Sequence, residues 1–295
     1  MLARLQQATT LGLLALAALW ALVAVRAGQP AWAVGGALLI VFGYAIVLAV
    51  EFAILRAAHG DDPAPRATLA QIARAWAAEV VTAPRVFCWL QPFRSRRWPD
   101  RVEAGGAPRG VLLVHGFVCN RGVWNPWLAR LAARGVPCIA VDLEPVFGSI
   151  DDYTPTIDAA VRRLEAATGA APVIVAHSMG GLAVRRWWAE HADERVHHLI
   201  TIATPHHGTV LARFALSPNT RQMRRASPWL QALAAREDPR RRARVTCFYS
   251  HCDNIVVPPS TAALAGADNR HLAGVAHVHM VGRDEPWQAL LERLA

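Results

Sequence analysis

Residues 173–181 read Val-Ile-Val-Ala-His-Ser-Met-Gly-Gly, and this stretch decides the fold that we expect. Its β-branched residues predict a buried strand, and the small residues around Ser178 predict that the strand turns at once into a helix. Such a strained turn projects a serine hydroxyl alone above a sheet, which makes Ser178 a candidate nucleophile. The usual pattern is G-x-S-x-G, and Ala176 replaces the first glycine with another small residue. The alternative is a serine that only caps a helix.

The positive charge of the chain comes entirely from arginine. The 295 residues include 31 basic residues, all of them arginine, and the formal net charge is +9. A nucleic-acid-binding protein would cluster arginines on one element beside stacking aromatic residues. Here they are scattered, which is typical of a GC-rich genome, and we expect no nucleic-acid partner. The one local run is interpreted as a solvated loop or a contact with an anionic membrane surface; it comprises Arg240, Arg241, Arg242 and Arg244.

Two uncharged apolar runs, residues 9–25 and 31–50, dominate the beginning of the chain. The second has about the length needed to cross a bilayer, and only a short turn separates the two. We therefore expect a transmembrane hairpin over residues 1–56. The alternative is a signal peptide with the Ala-Trp-Ala at 31–33 as its cleavage site, but the second run would remain as an anchor. Arg4, Arg56 and Arg66 flank the hairpin and Arg26 lies in its turn, so the positive-inside rule places both ends in the cytoplasm.

A connecting region is predicted for residues 57–108. Residues 57–68 have the composition of a linker. Apolar residues then recur at helical spacing and predict an amphipathic helix over 69–81; they are Leu69, Ile72, Trp76 and Val80. Aromatic residues and arginines alternate over 85–98, as at a membrane interface, although early strands of a soluble domain would look similar.

From Gly110 onward, strand and helix patterns alternate along the chain. Strands are predicted at 111–114, 136–141, 173–177, 196–203 and 245–250, and helices at 123–134 and 154–168. This alternation implies parallel strands joined by crossover helices. The predicted fold class is α/β, with a mostly parallel sheet covered by helices on both faces, in a domain spanning residues 109–295.

This part of the chain resembles the α/β-hydrolase family, and in particular its bacterial lipases and carboxylesterases. Four features follow the order that the family uses. His115-Gly116-Phe117 ends an early strand, the turn at Ser178 follows, Asp253 stands directly after a strand, and His277 precedes the final helix. The resemblance covers roughly residues 110–295.

The resemblance implies a role for each of these residues. Ser178 would be the nucleophile, His277 the general base and then acid, and Asp253 the residue that orients His277. The backbone N–H groups of Phe117 and Met179 would form the oxyanion hole. The turn would be supported by His115, Gly116, Ala176, His177 and Gly180. No cofactor is expected, and no metal, because His206 and His207 have no acidic or cysteine partner at ligand spacing.

Three assignments keep an alternative. His279 lies two residues from His277 and competes for the role of the base. Asp253 could instead be a turn former. Residues 209–235 lie between two core strands, where they could form a lid over an acyl pocket or an ordinary crossover.

The expected activity is hydrolysis of carboxylic esters, as in a lipase or carboxylesterase, by a protein of the bacterial inner membrane. The partners would be a small acyl ester or a lipid substrate and the membrane that holds the hairpin, and the oligomeric state stays open. An amidase, a thioesterase or an acyltransferase could use the same residues, and a catalytically silent, membrane-tethered scaffold is the non-enzymatic alternative. A two-span permease is disfavoured because Glu51 is the only acidic residue of the hairpin. The sequence also predicts that removal of residues 1–60 preserves activity on soluble esters.

Overall fold

Six parallel strands form one sheet in the computed structural model, which describes residues 1–103 and 109–294. The strand order is β2-β1-β3-β4-β5-β6. The strands are β1 (Val111–Val114), β2 (Cys138–Ala140), β3 (Val173–His177), β4 (His198–Ile202), β5 (Val245–Tyr249) and β6 (Asp268–His271). The α/β class with a parallel sheet is confirmed. The predicted domain junction at 108/109 adjoins residues 104–108, which lie outside the described residues.

Helices cover both faces of this sheet. They are α6 (Asn125–Ala133), α7 (Thr154–Thr168), α8 (Met179–Trp188) and α11 (Asp284–Leu294). Side chains alternate across each strand, so Leu112 of β1 packs in one core with α7 and α8, while Leu113 packs in a second core with α6 and α11. Helix α7 ends at Gly169, whose left-handed conformation (φ 68°) closes the helix as the sequence predicts.

Two parts of this domain differ from the prediction. The helix expected at 123–134 begins as a 3₁₀ turn, Arg121–Trp124, before α6, because Pro126 occupies an early helical position. Strand β6 was not predicted, since its residues Asp-Asn-Arg-His are polar and it pairs only with β5 at the edge of the sheet.

The N-terminal apolar region forms three helices: α1 (Leu2–Arg26), α2 (Pro30–Phe42) and α3 (Tyr44–Ala57). Helices α1 and α2 pack closely, since a Cβ atom on Gly36 would lie 1.9 Å from Nε1 of Trp20. Helix α1 is long and apolar enough to cross a membrane. Helices α2 and α3 meet that criterion only together, and they are bent by 52° at Gly43. The two-helix transmembrane hairpin predicted over residues 1–56 is therefore not confirmed.

The bend lets α3 pack against the domain that contains the sheet. Phe52 and Leu55 of α3 are each 2% exposed, and they share a core cluster with Cys252, Val257 and Ala276. These three residues lie on loops at the end of the sheet where β5 stops. Because burying two large apolar side chains is favourable, this contact accounts for the direction that α3 takes.

Helix α4 (Leu69–Pro84) lies beside α3 and continues into a π-helical turn (Arg85–Leu90) and α5 (Gln91–Arg94). Its start is fixed by a capping box between Thr68 and Gln71. Most of the predicted apolar face packs inward: Ile72 and Trp76 contact the cluster of Phe52 and Leu55, on the side of α4 where Ala75 and Glu79 are buried, and only Leu69 is exposed (69%).

The segment predicted as a linker, residues 57–68, is held against the rest of the protein. The ring of His59 is buried and contacts the carbonyl oxygens of Gly60 and Ala64 at 3.1 Å. The carboxylate of Asp62 accepts a hydrogen bond from the hydroxyl of Ser260. The segment thus connects α3 to α4 along a defined path.

Candidate active site

Ser178 occupies a sharp turn between β3 and α8. Its backbone has φ 54° and ψ −130°, a conformation that non-glycine residues rarely adopt. The turn is fixed by hydrogen bonds on both sides: the Ser178 N–H donates to the Ile202 carbonyl at 2.8 Å, and the Thr204 hydroxyl donates to the Ser178 carbonyl at 2.9 Å. The strain is therefore maintained by β4 and the loop after it.

Glycine is required where the turn meets β1. A Cβ atom on Gly180 would lie 2.5 Å from the backbone oxygen of His115, and one on Gly116 would lie 2.7 Å from Cβ of Ser178. Both distances are shorter than real contacts of a Cβ atom. At Gly180 the neighbouring atom belongs to the backbone of β1 and its loop, so it cannot move aside as a flexible side chain could. Ala176, which replaces the usual glycine, is fully buried and fits among the core residues.

His277 and Asp253 are in direct contact. Nδ1 of His277 lies 3.0 Å from both carboxylate oxygens of Asp253, and both side chains are almost fully buried. Asp253 Oδ1 also accepts the N–H groups of Ile255 and Val256 at 2.8 and 2.9 Å, which fixes the carboxylate. Asp253 follows β5 and Ser178 follows β3, so both lie at the carboxyl edge of the parallel sheet.

The environment of His277 favours its protonated form. Burial acts to lower the pKa of its imidazole, but the charge of Asp253, its hydrogen bond and the nearby carboxylates of Glu79 and Glu51 outweigh burial and raise the pKa above the ordinary value. His177 packs against His277, with ring centroids 4.7 Å apart and ring planes tilted by 48°. Burial and the charge of His277 hold the pKa of His177 well below its usual range, so His177 is a neutral packing partner.

His115 anchors the loop that carries the predicted oxyanion donor Phe117. Its Nδ1 lies 2.9 Å from the Gly116 carbonyl, and its Nε2 accepts the N–H of Leu143 at 3.0 Å. These contacts require the neutral ring with the proton on Nδ1. Burial lowers the pKa of His115 in agreement with that state. The second predicted donor, the N–H of Met179, belongs to the first residue of α8 and so has no acceptor within the helix.

Ser178 and His277 line the same cavity, of about 240 Å³. Its walls are largely apolar and are supplied by Leu48, Ala83, Phe87, Gly116, Phe117, Cys119, Ile255 and Val278. Its polar lining residues, besides the two candidate catalytic residues, are His177, Asn254, Glu51 and Glu79. None of the described residues lining this cavity comes from residues 209–235.

Residues 209–235 pack mainly as a crossover. They form a 3₁₀ turn (Val210–Phe214), α9 (Pro218–Gln222) and α10 (Pro228–Arg236). Leu230 and Leu233 of α10 are buried in the core on the α7–α8 face of the sheet. Only Phe214 and Leu216, each 74% exposed, present a large apolar surface. The crossover interpretation therefore fits the structure better than a lid over the cavity.

The other histidines considered as candidates have different surroundings. His279 is two residues from His277, and its backbone N–H binds Glu79. His206 is buried between Arg185 and Thr201, at 3.1 and 3.0 Å from its two ring nitrogens. Within the part of the chain that the structure describes, no three His, Cys, Asp or Glu side chains are placed to hold a metal ion.

Two acidic residues at the cavity, Glu51 and Glu79, were not predicted as site residues. In the sequence, Glu51 stands out only as the single acidic residue of the predicted hairpin, and this isolation is the one signal that points to it. Glu79 is next to Val80 on the predicted amphipathic helix, and nothing in the surrounding sequence indicates that Glu79 belongs to a site. Its burial depends on how α4 packs against the loop that follows His277, which a pattern along one helix does not show.

The parallel sheet, the strained serine turn after β3 and the Asp–His pair at the ends of later strands define the class of α/β hydrolases. A model of the alpha/beta hydrolase family matches residues 111–295, more than half of the chain, and the chain belongs to that family. The family membership predicted from the sequence is confirmed, and it supports hydrolase activity.

Solved lipase structures share this fold. The mature form of Bacillus licheniformis lipase BlEst2 superposes with a TM-score of 0.56 at 18% identity, covering 67% of this chain and 94% of that one. Aspergillus fumigatus lipase B gives a TM-score of 0.54 at 19% identity, covering 64% of this chain and 52% of that one. At such identities the likeness extends to the fold alone. A search among curated proteins gives no significant match.

Proposed function

We propose that this protein is a serine hydrolase that cleaves carboxylic esters, with Ser178 as nucleophile, His277 as base and Asp253 as its orienting partner. The observation that carries the proposal is the buried contact of Asp253 with Nδ1 of His277, at 3.0 Å, in the cavity that Ser178 lines. Nδ1 is occupied by the carboxylate, which leaves Nε2 to accept a proton from the serine.

The chemistry follows from this arrangement. The Ser178 oxygen attacks the ester carbonyl carbon while its proton passes to Nε2 of His277, and the carbonyl oxygen becomes an oxyanion. The N–H groups of Phe117 and Met179 bind that oxyanion, an interaction worth about 3 kcal/mol per donor in comparable enzymes. The alcohol leaves with the proton from His277. Water then attacks the acyl-serine by the reverse sequence and releases the acid.

The cavity lining supports an apolar acyl group. Leu48, Phe87, Phe117 and Ile255 face the space beside Ser178, and a hydrocarbon chain would bury apolar surface against them. An amide, a thioester or an acyl acceptor other than water would use the same reacting groups, so these remain the alternative substrates.

We also propose that α1 and the bent α2–α3 pair hold the protein in the bacterial inner membrane. Large apolar side chains of α1 and α2 are exposed, among them Leu11, Leu19, Trp32 and Leu39. Such a surface is stable in lipid and unfavourable in water. At its start α1 contacts the hydrolase domain, where the Met1 ammonium binds Glu144 at 2.8 Å. This contact supports a topology with the start of α1 and the hydrolase domain on one side of the membrane, and the positive-inside rule favours the cytoplasm for that side.

Hydrolysis of p-nitrophenyl esters from C2 to C16, in detergent, tests this proposal, with Ser178→Ala as the control. The proposal predicts serine-dependent turnover, and the chain-length optimum separates an esterase from a lipase. Turnover that survives in Ser178→Ala would refute the nucleophile. A protein that reacts with a fluorophosphonate but cleaves no ester would point to an amide, thioester or acyl-transfer substrate.

A further inference from the structure

Two acidic side chains of the N-terminal helices reach the loops that carry the proposed catalytic residues. Glu79 of α4 is 1% exposed, and its two oxygens accept the N–H groups of Val278 and His279 at 2.8 and 3.0 Å. Glu51 of α3 accepts a hydrogen bond from the side-chain amide of Asn254 at 2.7 Å. Both glutamates lie outside residues 111–295, the part that matches the hydrolase family.

These contacts converge on His277. Val278 and His279 directly follow it, and the Oδ1 atom of Asn254 accepts the N–H of His277 at 3.2 Å. The backbone of His277 and of the two residues after it is therefore held by three hydrogen bonds. Two go to Glu79 directly, and the third goes to an amide that Glu51 orients.

A carboxylate has a specific advantage at this position. Val278 and His279 stand at the start of a short 3₁₀ turn, His279–Gly282, where N–H groups have no acceptor within the turn. A carboxylate can accept both N–H groups, whereas an amide offers one oxygen and would direct its own N–H₂ group at the other donor.

Burial makes this carboxylate unfavourable in its ionised form. It raises the pKa of Glu79 to about 7, although the two backbone hydrogen bonds and the charge of His277 act in the opposite direction. The titratable groups facing Glu79 and His277 are Glu51, Asp253 and His177. A residue that only filled space between α4 and the domain would be better served by an apolar side chain.

We propose that Glu79 is a positioning residue of the active site, which fixes the His277 backbone from helix α4, with Glu51 and Asn254 as a second contact on the same loop. The inference rests on the proposed function, because it assigns Glu79 a role through His277. It makes the N-terminal helices a part of the active site.

The test is Glu79→Gln in the full-length protein in detergent, with Glu194→Gln as the matched control, because Glu194 is exposed on the hydrolase domain. Ester kinetics are measured across pH, and amide hydrogen exchange is measured in the segment 275–283. We expect faster exchange in this segment and a kcat lower by about 10- to 100-fold, the scale that misplaced catalytic groups produce. KM should change little, and the acid limb of the pH profile should move to lower pH because a negative charge beside His277 is lost.

Two results would overturn the inference. Unchanged exchange in the segment 275–283 of Glu79→Gln would show that the carboxylate does not hold this loop. Faster exchange with a wild-type kcat and an unmoved pH profile would show a contact that is only structural. Failure of the proposed function looks different, since then Ser178→Ala would match the wild type whatever happens at Glu79.

A second variant covers the case in which Glu79→Gln does not fold. Glu79→Asp keeps the charge but shortens the side chain, so it cannot reach both N–H groups. We expect a reduced kcat with the acid limb unmoved, because the charge remains. A wild-type kcat and wild-type exchange in Glu79→Asp would contradict the positioning role.

Discussion

At the scale of single residues, the site depends on which histidine faces the carboxylate. His277 places Nδ1 against Asp253 at 3.0 Å, whereas His279 contributes a backbone N–H to Glu79 and the charged groups that act on its ring are Arg283 and Glu285. Burial lowers the pKa of His279, whereas at His277 the charge of Asp253 outweighs burial and raises the pKa. The two rings therefore differ in chemistry although they are two positions apart.

Substitution of the two histidines should separate their roles. We expect His277→Ala to lower kcat/KM by about 10³-fold or more, as loss of a triad base does in related chemistry. His279→Ala keeps the backbone contact with Glu79 and should retain most of the activity. The measurement is kcat/KM for ester hydrolysis by both purified variants, and thermal unfolding checks that both are folded. Equal losses in the two variants would contradict the assignment of the base.

The raised pKa of His277 gives a pH dependence with a definite sign. The base must be neutral to accept the proton of Ser178, so activity is lost as pH falls through the pKa of His277. Because Asp253 raises that pKa, the acid limb of kcat/KM should lie above the ordinary histidine value of about 6.5. Asp253→Asn should move the limb to lower pH and reduce kcat by about 10³- to 10⁴-fold. An unmoved limb in Asp253→Asn would show that another group titrates.

At the scale of elements, the turn from β3 to α8 depends on contact with β1. A methyl group on Gly180 would lie 2.5 Å from the His115 oxygen and 2.7 Å from the Val114 oxygen, both of them backbone. Only displacement of α8 from the sheet could relieve these contacts, and it would move Ser178 away from the loop of Phe117.

Gly180→Ala should therefore lose stability by about 1–3 kcal/mol, the usual cost of overpacking a core, together with most of the activity. The control is Gly282→Ala, because a Cβ atom at Gly282 meets nothing within 4 Å. Denaturant unfolding and ester hydrolysis measure the two variants. A Gly180→Ala protein with wild-type stability and activity would show that α8 and β1 are less closely packed than these distances indicate.

The elements that the sequence predicts well are those with local signals. The strand ending at His177, the closure of α7 at Gly169 and the parallel sheet all follow from short apolar runs and turn residues. The polar strand β6 has no such run, since only its pairing with β5 defines it. The bend at Gly43 and the burial of Glu79 on α4 depend on contacts with the loops of Cys252 and His277, which periodicity along one helix cannot reveal.

At the scale of the whole molecule, the N-terminal helices and the hydrolase domain share a core. Phe52 and Leu55 are buried with Ala276, next to His277, and Leu48 and Glu51 line the cavity of Ser178. The expectation from sequence that residues 1–60 can be removed without effect on activity does not fit these contacts. The predicted division into an anchor, a connecting region and a catalytic domain stays a prediction.

We now expect removal of residues 1–60 to reduce both stability and activity on short soluble esters, because it exposes Cys252, Val257 and Ala276 and removes Glu51. A matched point variant, Phe52→Ala in the full chain, should lower stability by about 3 kcal/mol or more while keeping α1 and α2. Thermal unfolding and p-nitrophenyl acetate hydrolysis measure both proteins. A truncated protein with wild-type kcat/KM would show that the N-terminal helices are dispensable to the site.

The most direct test of the central claim is covalent labelling by a fluorophosphonate, with the modified residue located by peptide mapping. The account predicts one adduct, on Ser178, that forms in the wild type and in Glu194→Gln, slows greatly in His277→Ala and is absent in Ser178→Ala. Folded wild-type protein that takes up no label, or a label that persists in Ser178→Ala, would contradict the assignment of Ser178 as an activated nucleophile.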